Sequence, residues 1–232
     1  HLFMTMEWLE GESLARILTG RGENPLSELQ TKMIVDGLCE GLAHVHRQGI
    51  VHADIKPGNI LILRNGQPKL LDFGAAHMIG ETPEASPGRG SHTPAYASGQ
   101  ILAGKTPTVQ DDIFSLACVI YRMLSGQRPF GDLNAADAEL EDRQPAPIKS
   151  LSRAQWEALR RALSFRREDR QSSVAALQAE LLETAPPGRR WQPVRRSPQS
   201  AGPGTSLVRK LRSLLMFGGP LAVAAAIALL IN

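Results

Sequence analysis

His52-Ala53-Asp54-Ile55-Lys56-Pro57-Gly58-Asn59 and, a little further on, Asp72-Phe73-Gly74 are the stretches whose reading decides the fold of this chain. The first offers a carboxylate, an ammonium and an amide in a short span. The second offers a carboxylate beside an aromatic ring and a glycine. Between them, Ile60-Leu61-Ile62-Leu63, the pair Asn65-Gly66, and Pro68-Lys69-Leu70-Leu71 read as a small β-hairpin, because Asn-Gly suits a tight turn and the flanks are apolar.

Working outward, residues 27–47 place Leu29, Met33, Ile34, Leu38, Leu42 and Val45 at steps of three and four, which makes one buried helical stripe. Ser27 reads as the N-cap with Gln30 at the third helical position, and Gly49 ends the helix. On the other side, Asp111 to Ser125 is almost wholly apolar and closes at Gly126. It reads as a helix buried nearly all round, and Arg122 within it argues against a membrane span. Two further helices are expected over 152–164 and 172–183. Residues 1–10 read as a short apolar strand and connector broken by Gly11, with Ser13 to Leu18 starting a helix. Residues 80–108, rich in Gly, Pro, Ser and Thr, read as a long loop, and loops of that length are most often functional.

The bulk composition fits a globular domain with additions. Of 232 residues, 42% are hydrophobic and 21% charged; with only 5% aromatic, a nucleic-acid-stacking surface is not indicated and no nucleic-acid partner is expected. The formal charge of +3 arises largely late in the chain, at Arg189, Arg190, Arg195, Arg196, Arg209, Lys210 and Arg212. Cys39 and Cys118 both fall inside apolar helical patterns, with neither disulfide-framework nor metal spacing, and read as buried hydrophobes.

The two opening stretches, in order, resemble the Hanks-type protein kinase family, whose pattern is H-R-D-L-K-x-x-N followed by D-F-G. Each motif alone is short; in sequence and followed by a buried helix they are specific. The resemblance covers residues 1–183, from the hinge onward. It implies an α+β protein kinase-like fold, mainly the helical C-lobe, and a protein serine/threonine kinase that moves the ATP γ-phosphoryl group to Ser or Thr hydroxyls of protein substrates with Mg2+. Such transfer asks chiefly for positioning and charge neutralisation. By the resemblance Asp54 orients the attacking hydroxyl and Lys56 meets charge on the phosphoryl group. Asn59 and Asp72 supply oxygen to magnesium, a hard cation. Phe73 packs inward beside His52. Met6 stands as gatekeeper, the backbone of Glu7 and Leu9 meets adenine, and Leu61 floors it. Residues 75–99 become the activation segment, in which Thr93-Pro94-Ala95-Tyr96 lies near the substrate and Thr93 touches Asp54 and Lys56. Thr82, Ser86 and Ser91 are candidate phosphorylation sites. Asp112 matches the aspartate that holds the catalytic-loop backbone, and Arg170 a late family arginine.

Four departures stand out. The glycine-rich loop, strand lysine and helix glutamate of the family are absent from the sequence, which begins at His1, so the stretch reads as part of a longer kinase and is expected to be inactive by itself. Ala53 replaces the arginine that pairs with a phosphorylated loop. Ala97-Ser98-Gly99 lacks the glutamate that pairs with the late arginine, so Arg170 needs another acceptor or turns to water. Ala117 stands where glycine is usual.

Residues 184–212 form a Pro- and Arg-rich linker that cannot build a core. Residues 213–231 carry no charge and read as a membrane helix; 18 of them, Leu214 to Ile231, would span about 27 Å. Arg209, Lys210 and Arg212 beside it predict a cytoplasmic kinase domain on the inner face of a bacterial membrane, with the lipid bilayer as a partner. Two rival readings use the same fold: a pseudokinase acting as a binding or scaffold module, and a small-molecule phosphotransferase.

Overall fold

A computed structural model describes residues 7–79 and 93–182. Helix α4 (Val109–Ser125) is its axis. Thirteen of its 17 residues are buried, from Asp111 and Asp112 at one end to Met123 and Leu124 at the other, as the nearly unbroken apolar run requires. Gly126, in the left-handed conformation at φ 78°, ends it. Helix α2 (Glu28–Arg47) packs on α4 and buries Ile34, Val35, Leu38, Cys39 and Leu42, and its Ser27–Gln30 capping box is present as the sequence predicts. Helices α6 (Arg153–Ala162) and α7 (Val174–Leu182) pack against each other and against α4, and α7 also lies on α2. Both are the helices expected at 152–164 and 172–183. Each fully buried Leu or Ile in this core contributes on the order of 2 kcal/mol relative to exposure.

Three short strands cap one side of the helices. β1 (Gly11–Ser13) pairs antiparallel with β3 (Ile60–Leu63), and β3 pairs antiparallel with β4 (Pro68–Leu70), in the order β1-β3-β4. The expected hairpin is therefore present, turning through Asn65 and Gly66. It rests on α2, where Gly37 admits Pro68: a methyl at Gly37 would come within 2.6 Å of Pro68 Cγ. A second pair joins β2 (Ile50–Val51) to β5 (His77–Met78).

Two expectations need correction, and one helix is new. Gly11 does not break a strand; it opens one, opposite Leu63, while residues 7–10 carry no regular structure. Its lack of a side chain is what permits pairing, since a Cβ there would sit 2.5 Å from the Ile62 carbonyl oxygen. Helix α1 follows at Leu14–Arg21 with Ser13 as its N-cap. The segment read as one long loop carries a short helix, α3 (Gly99–Leu102), capped by the Ser98 side chain. Helix α5 (Ala135–Leu140), capped by Asn134, is the added element. Cys39 and Cys118 are buried as expected, and burial pushes both thiols up, Cys39 to about 12 with the nearby Asp36 adding to the rise.

Candidate active site

The site begins with a strained loop held from below. Between β2 and β3 the chain makes a tight passage in which Ala53 adopts φ 64°, a conformation that costs an L-residue with a Cβ about 1–2 kcal/mol. Asp112, fully buried in the first turn of α4, holds it there. Its carboxylate accepts the backbone N–H of His52 and of Ala53, each at 2.8 Å. His46, near the end of α2, brings Nε2 to 2.8 Å from the same carboxylate. The role expected of Asp112 is thus present, and His46 is an addition that spacing along the chain did not reveal.

Asp54 emerges from this loop half-buried, and three groups gather on it. Lys56 Nζ donates to Asp54 Oδ2 at 2.6 Å. Asn59, in the 3-10 turn Pro57–Asn59, donates through Nδ2 to the Asp54 carbonyl at 2.9 Å and to Oδ2 at 3.0 Å. The Thr93 backbone N–H donates to Asp54 Oδ1 at 3.4 Å. Thr93 therefore meets Asp54 through its main chain, while no hydrogen bond from Thr93 to Lys56 is seen among the described residues.

Asp72 arrives at the end of the hairpin, where Leu71 N–H donates to the Asn59 carbonyl at 2.8 Å and so ties β4's exit to the loop that carries Asp54. Asp72 is exposed and has φ 60°, which its own side chain supports by accepting Gly74 N–H at Oδ1, 3.1 Å away. Phe73 meets His52 as expected, ring centroids 4.7 Å apart, but it is not turned inward: 43% of it is exposed. His52 is buried, with Nε2 3.1 Å from the Leu71 carbonyl.

The donor set suits a hard divalent cation. Asn59 uses its nitrogen toward Asp54, which leaves an amide oxygen, and Asp72 uses Oδ1 locally, which leaves Oδ2. Among the described residues no cluster of three His, Cys, Asp or Glu side chains could hold a metal. Of the residues expected to meet adenine, Glu7 is exposed and Leu9 half-buried, both in irregular chain. Leu61 is half-buried on β3, paired with Ser13 and Lys69. Met6, Thr82, Ser86 and Ser91 lie outside the described residues.

The missing glutamate is answered by residues the sequence reading passed over. Arg170 is buried and does not turn to water. It donates to Gln100 Oε1 at 3.0 Å, to the carbonyls of Gln110, Ser164 and Phe165, and stands 3.4 Å from Asp111 Oδ1. Its guanidinium also lies over the Phe114 ring, 4.7 Å from the centroid. Burial pushes Arg170 down to about 10, with Asp111 opposing the shift. Asp111 further accepts from Ser98 Oγ at 2.7 Å and from Arg167 Nη2 at 2.6 Å. The signal in the sequence was the doublet Asp111-Asp112, of which only the second residue drew a role.

Comparison with known proteins agrees with this geometry. The protein kinase domain family matches residues 1–190. A serine/threonine-protein kinase of Corynebacterium efficiens, drp72, is 37% identical over 192 residues, covering 80% of this chain and 36% of the relative. The serine/threonine-protein kinase PknA of Corynebacterium glutamicum is 35% identical over 211 residues, 88% of this chain and 45% of the relative. A probable serine/threonine-protein kinase PknB of Bifidobacterium longum is 31% identical over 190 residues, 78% of this chain and 27% of the relative. The chain spans less than half the length of each of these relatives. With the family match running through the loop, the hairpin and the helices that hold them, this chain belongs to the protein kinase domain family.

Proposed function

We propose that the protein is an ATP- and Mg2+-dependent serine/threonine kinase acting on protein substrates. The observation that carries this reading is the convergence on Asp54: Lys56 and Asn59 bind its carboxylate from the same loop, and Thr93 approaches from the segment beyond Asp72. A carboxylate so placed can accept a hydrogen bond, and then a proton, from a substrate hydroxyl. Lys56 keeps further N–H donors for a phosphoryl oxygen once its bond to Asp54 is counted. Asn59 and Asp72 would hold magnesium through the oxygens named above. Bound MgATP supplies the transferable phosphoryl group and screens its charge. Met6, Glu7, Leu9 and Leu61 would line the adenine side.

The proposal extends to place. Residues 213–231 lie outside the described residues, and no helix among the described residues is long and apolar enough to cross a membrane. The support comes from composition: an uncharged apolar run beside Arg209, Lys210 and Arg212, which favours a membrane helix with the kinase domain on the cytoplasmic side of a bacterial inner membrane.

The test uses the full-length protein from its own source. It should transfer labelled phosphate from ATP to a generic Ser/Thr protein substrate in the presence of magnesium. Nucleotide binding with no transfer would move the assignment to a pseudokinase. Deleting residues 213–231 should shift the protein from the membrane to the soluble fraction; unchanged sedimentation would remove the anchor from the proposal.

A further inference from the structure

The turn that opens at Thr93 ends on a tyrosine tied to a cation. Tyr96 N–H donates to the Thr93 carbonyl at 3.0 Å, and the Tyr96 carbonyl accepts from Ser115 Oγ at 2.8 Å, which pins the turn to α4. The Tyr96 side chain is buried, and its phenol oxygen accepts from Arg122 Nη1 at 2.5 Å. Burial pushes the Tyr96 phenol above its ordinary range, and both Arg122 and Arg128 are close enough to oppose that rise. Two guanidinium groups therefore stand behind this end of the turn.

They differ in how they are satisfied. Arg128 is paired with Asp132, as Arg161 is with Glu180 and Arg167 with Asp111. Arg122 is half-buried, and among the described residues it makes no ion pair; the neutral Tyr96 hydroxyl is its partner. A guanidinium has five N–H donors in a rigid fork suited to a carboxylate or phosphate. Holding such a group half out of water with one neutral acceptor leaves donors for an anion from outside.

Distance links this feature to the reacting group. Thr93 N–H lies 3.4 Å from the Asp54 carboxylate, and three residues can reach no more than about 10 Å. A substrate chain in extended form rises about 3.3 Å per residue. A residue two or three places from the acceptor hydroxyl can therefore reach the end of the turn that Arg122 holds. Resting on the kinase reading above, we infer that Arg122 sets substrate specificity by receiving an acidic side chain, carboxylate or phosphate, two or three positions from the phosphorylated Ser or Thr.

The test is a peptide series assayed with the full-length kinase. Asp, Glu, phosphoserine, Ala or Lys is placed at each position two or three residues either side of one acceptor serine. At one of these positions kcat/KM for the acidic peptides should exceed that for the Ala peptide by about tenfold, and Lys should be the poorest. Comparing the carboxylate and phosphate peptides shows which anion is preferred. In Arg122→Glu the order should invert, with Lys favoured; in Arg122→Lys the acidic preference should persist. Each preference is a ratio measured within one enzyme preparation, so partial unfolding of a variant cancels, and the wild-type series stands without any variant. Acidic, neutral and basic peptides used equally by the wild type would overturn the inference while leaving the kinase reading intact. An acidic preference unchanged in Arg122→Glu would also overturn it. A wild type that labels no peptide or protein would overturn the kinase reading, and this inference with it.

Discussion

The carboxylate of Asp112 accepts the backbone N–H of His52 at 2.8 Å, although sixty residues separate them. Through that bond and its twin to Ala53, the N-terminal end of the central helix sets the conformation of the loop that presents Asp54. A buried charge here is matched by two main-chain donors and His46, so the loop's strain is borne by an anchor that belongs to the core.

Asp112→Ala should therefore damage both stability and transfer. Removing the acceptor leaves the His52 and Ala53 N–H groups unsatisfied and releases the loop, at a cost of about 3 kcal/mol in unfolding free energy. Denaturant titration measures the first effect. A fall in kcat of tenfold or more under conditions where the variant remains folded measures the second. A variant with wild-type kcat would show that the anchor does not position Asp54.

Asp54→Asn keeps the size and hydrogen-bonding reach of the side chain but removes its charge and basicity. Transfer to protein substrate in the full-length kinase should fall by about 10³-fold, in the range typical for loss of a proton acceptor. ATP binding, followed by fluorescence or calorimetry, should change little. Labelling that survives would reject the role given to Asp54.

The Arg170 cluster predicts strong coupling. Arg170→Met removes the hydrogen bonds to Gln100, to Asp111 and to three carbonyls at once and leaves Asp111 with less compensation, for an expected loss of about 3–5 kcal/mol. Asp111→Asn should be costly as well, because Arg167 and Arg170 both face it. A double-mutant cycle should give a coupling energy above about 1 kcal/mol. Additive effects would show that Gln100 and the carbonyls suffice to hold Arg170.

Two glycines separate backbone conformation from close approach. Gly104 has φ 70° and open space where a Cβ would stand, with nothing within 4 Å, so Gly104→Ala should cost about 1 kcal/mol from the left-handed conformation alone. Gly126 has φ 78°, and a methyl there would also run into the Glu23 carbonyl. Gly126→Ala should cost roughly 1–3 kcal/mol more, since the backbone of the α1–α2 connection must shift. Thermal melts of the two variants make the comparison.

The buried thiols give a pH-dependent prediction. Because Cys39 is pushed from an ordinary 9.0 up to about 12, the native state keeps its proton where the unfolded chain loses it. The native state then binds more protons, so this contribution to stability is whole below about pH 9 and declines as pH rises from there. Unfolding free energy should begin to fall as pH passes about 9, with the raised Cys118 thiol adding to the fall and Arg170, which itself titrates around pH 10, opposing it. Alkylation at pH 8 should label Cys39 and Cys118 only as fast as the protein opens. Rapid labelling of the native protein would contradict the burial of both.

Much of this protein is written locally. The Ser27–Gln30 capping box, the Asn65-Gly66 turn and the apolar run of α4 depend on neighbours a few residues away, and each is found where its sequence signal lies. The motif residues Asp54, Lys56 and Asn59 are likewise close in sequence, so their gathering follows from one loop. What needed the folded chain were the partnerships across tens of residues: His46 with Asp112, Gln100 and Asp111 with Arg170, Arg122 with Tyr96. The same holds for Gly11, whose place in a strand is set by Leu63 and Ile62 on the far side of the loop. Local propensity acts through bonds between near neighbours. Counter-charges and close approaches are chosen by packing, which joins residues that the sequence holds apart.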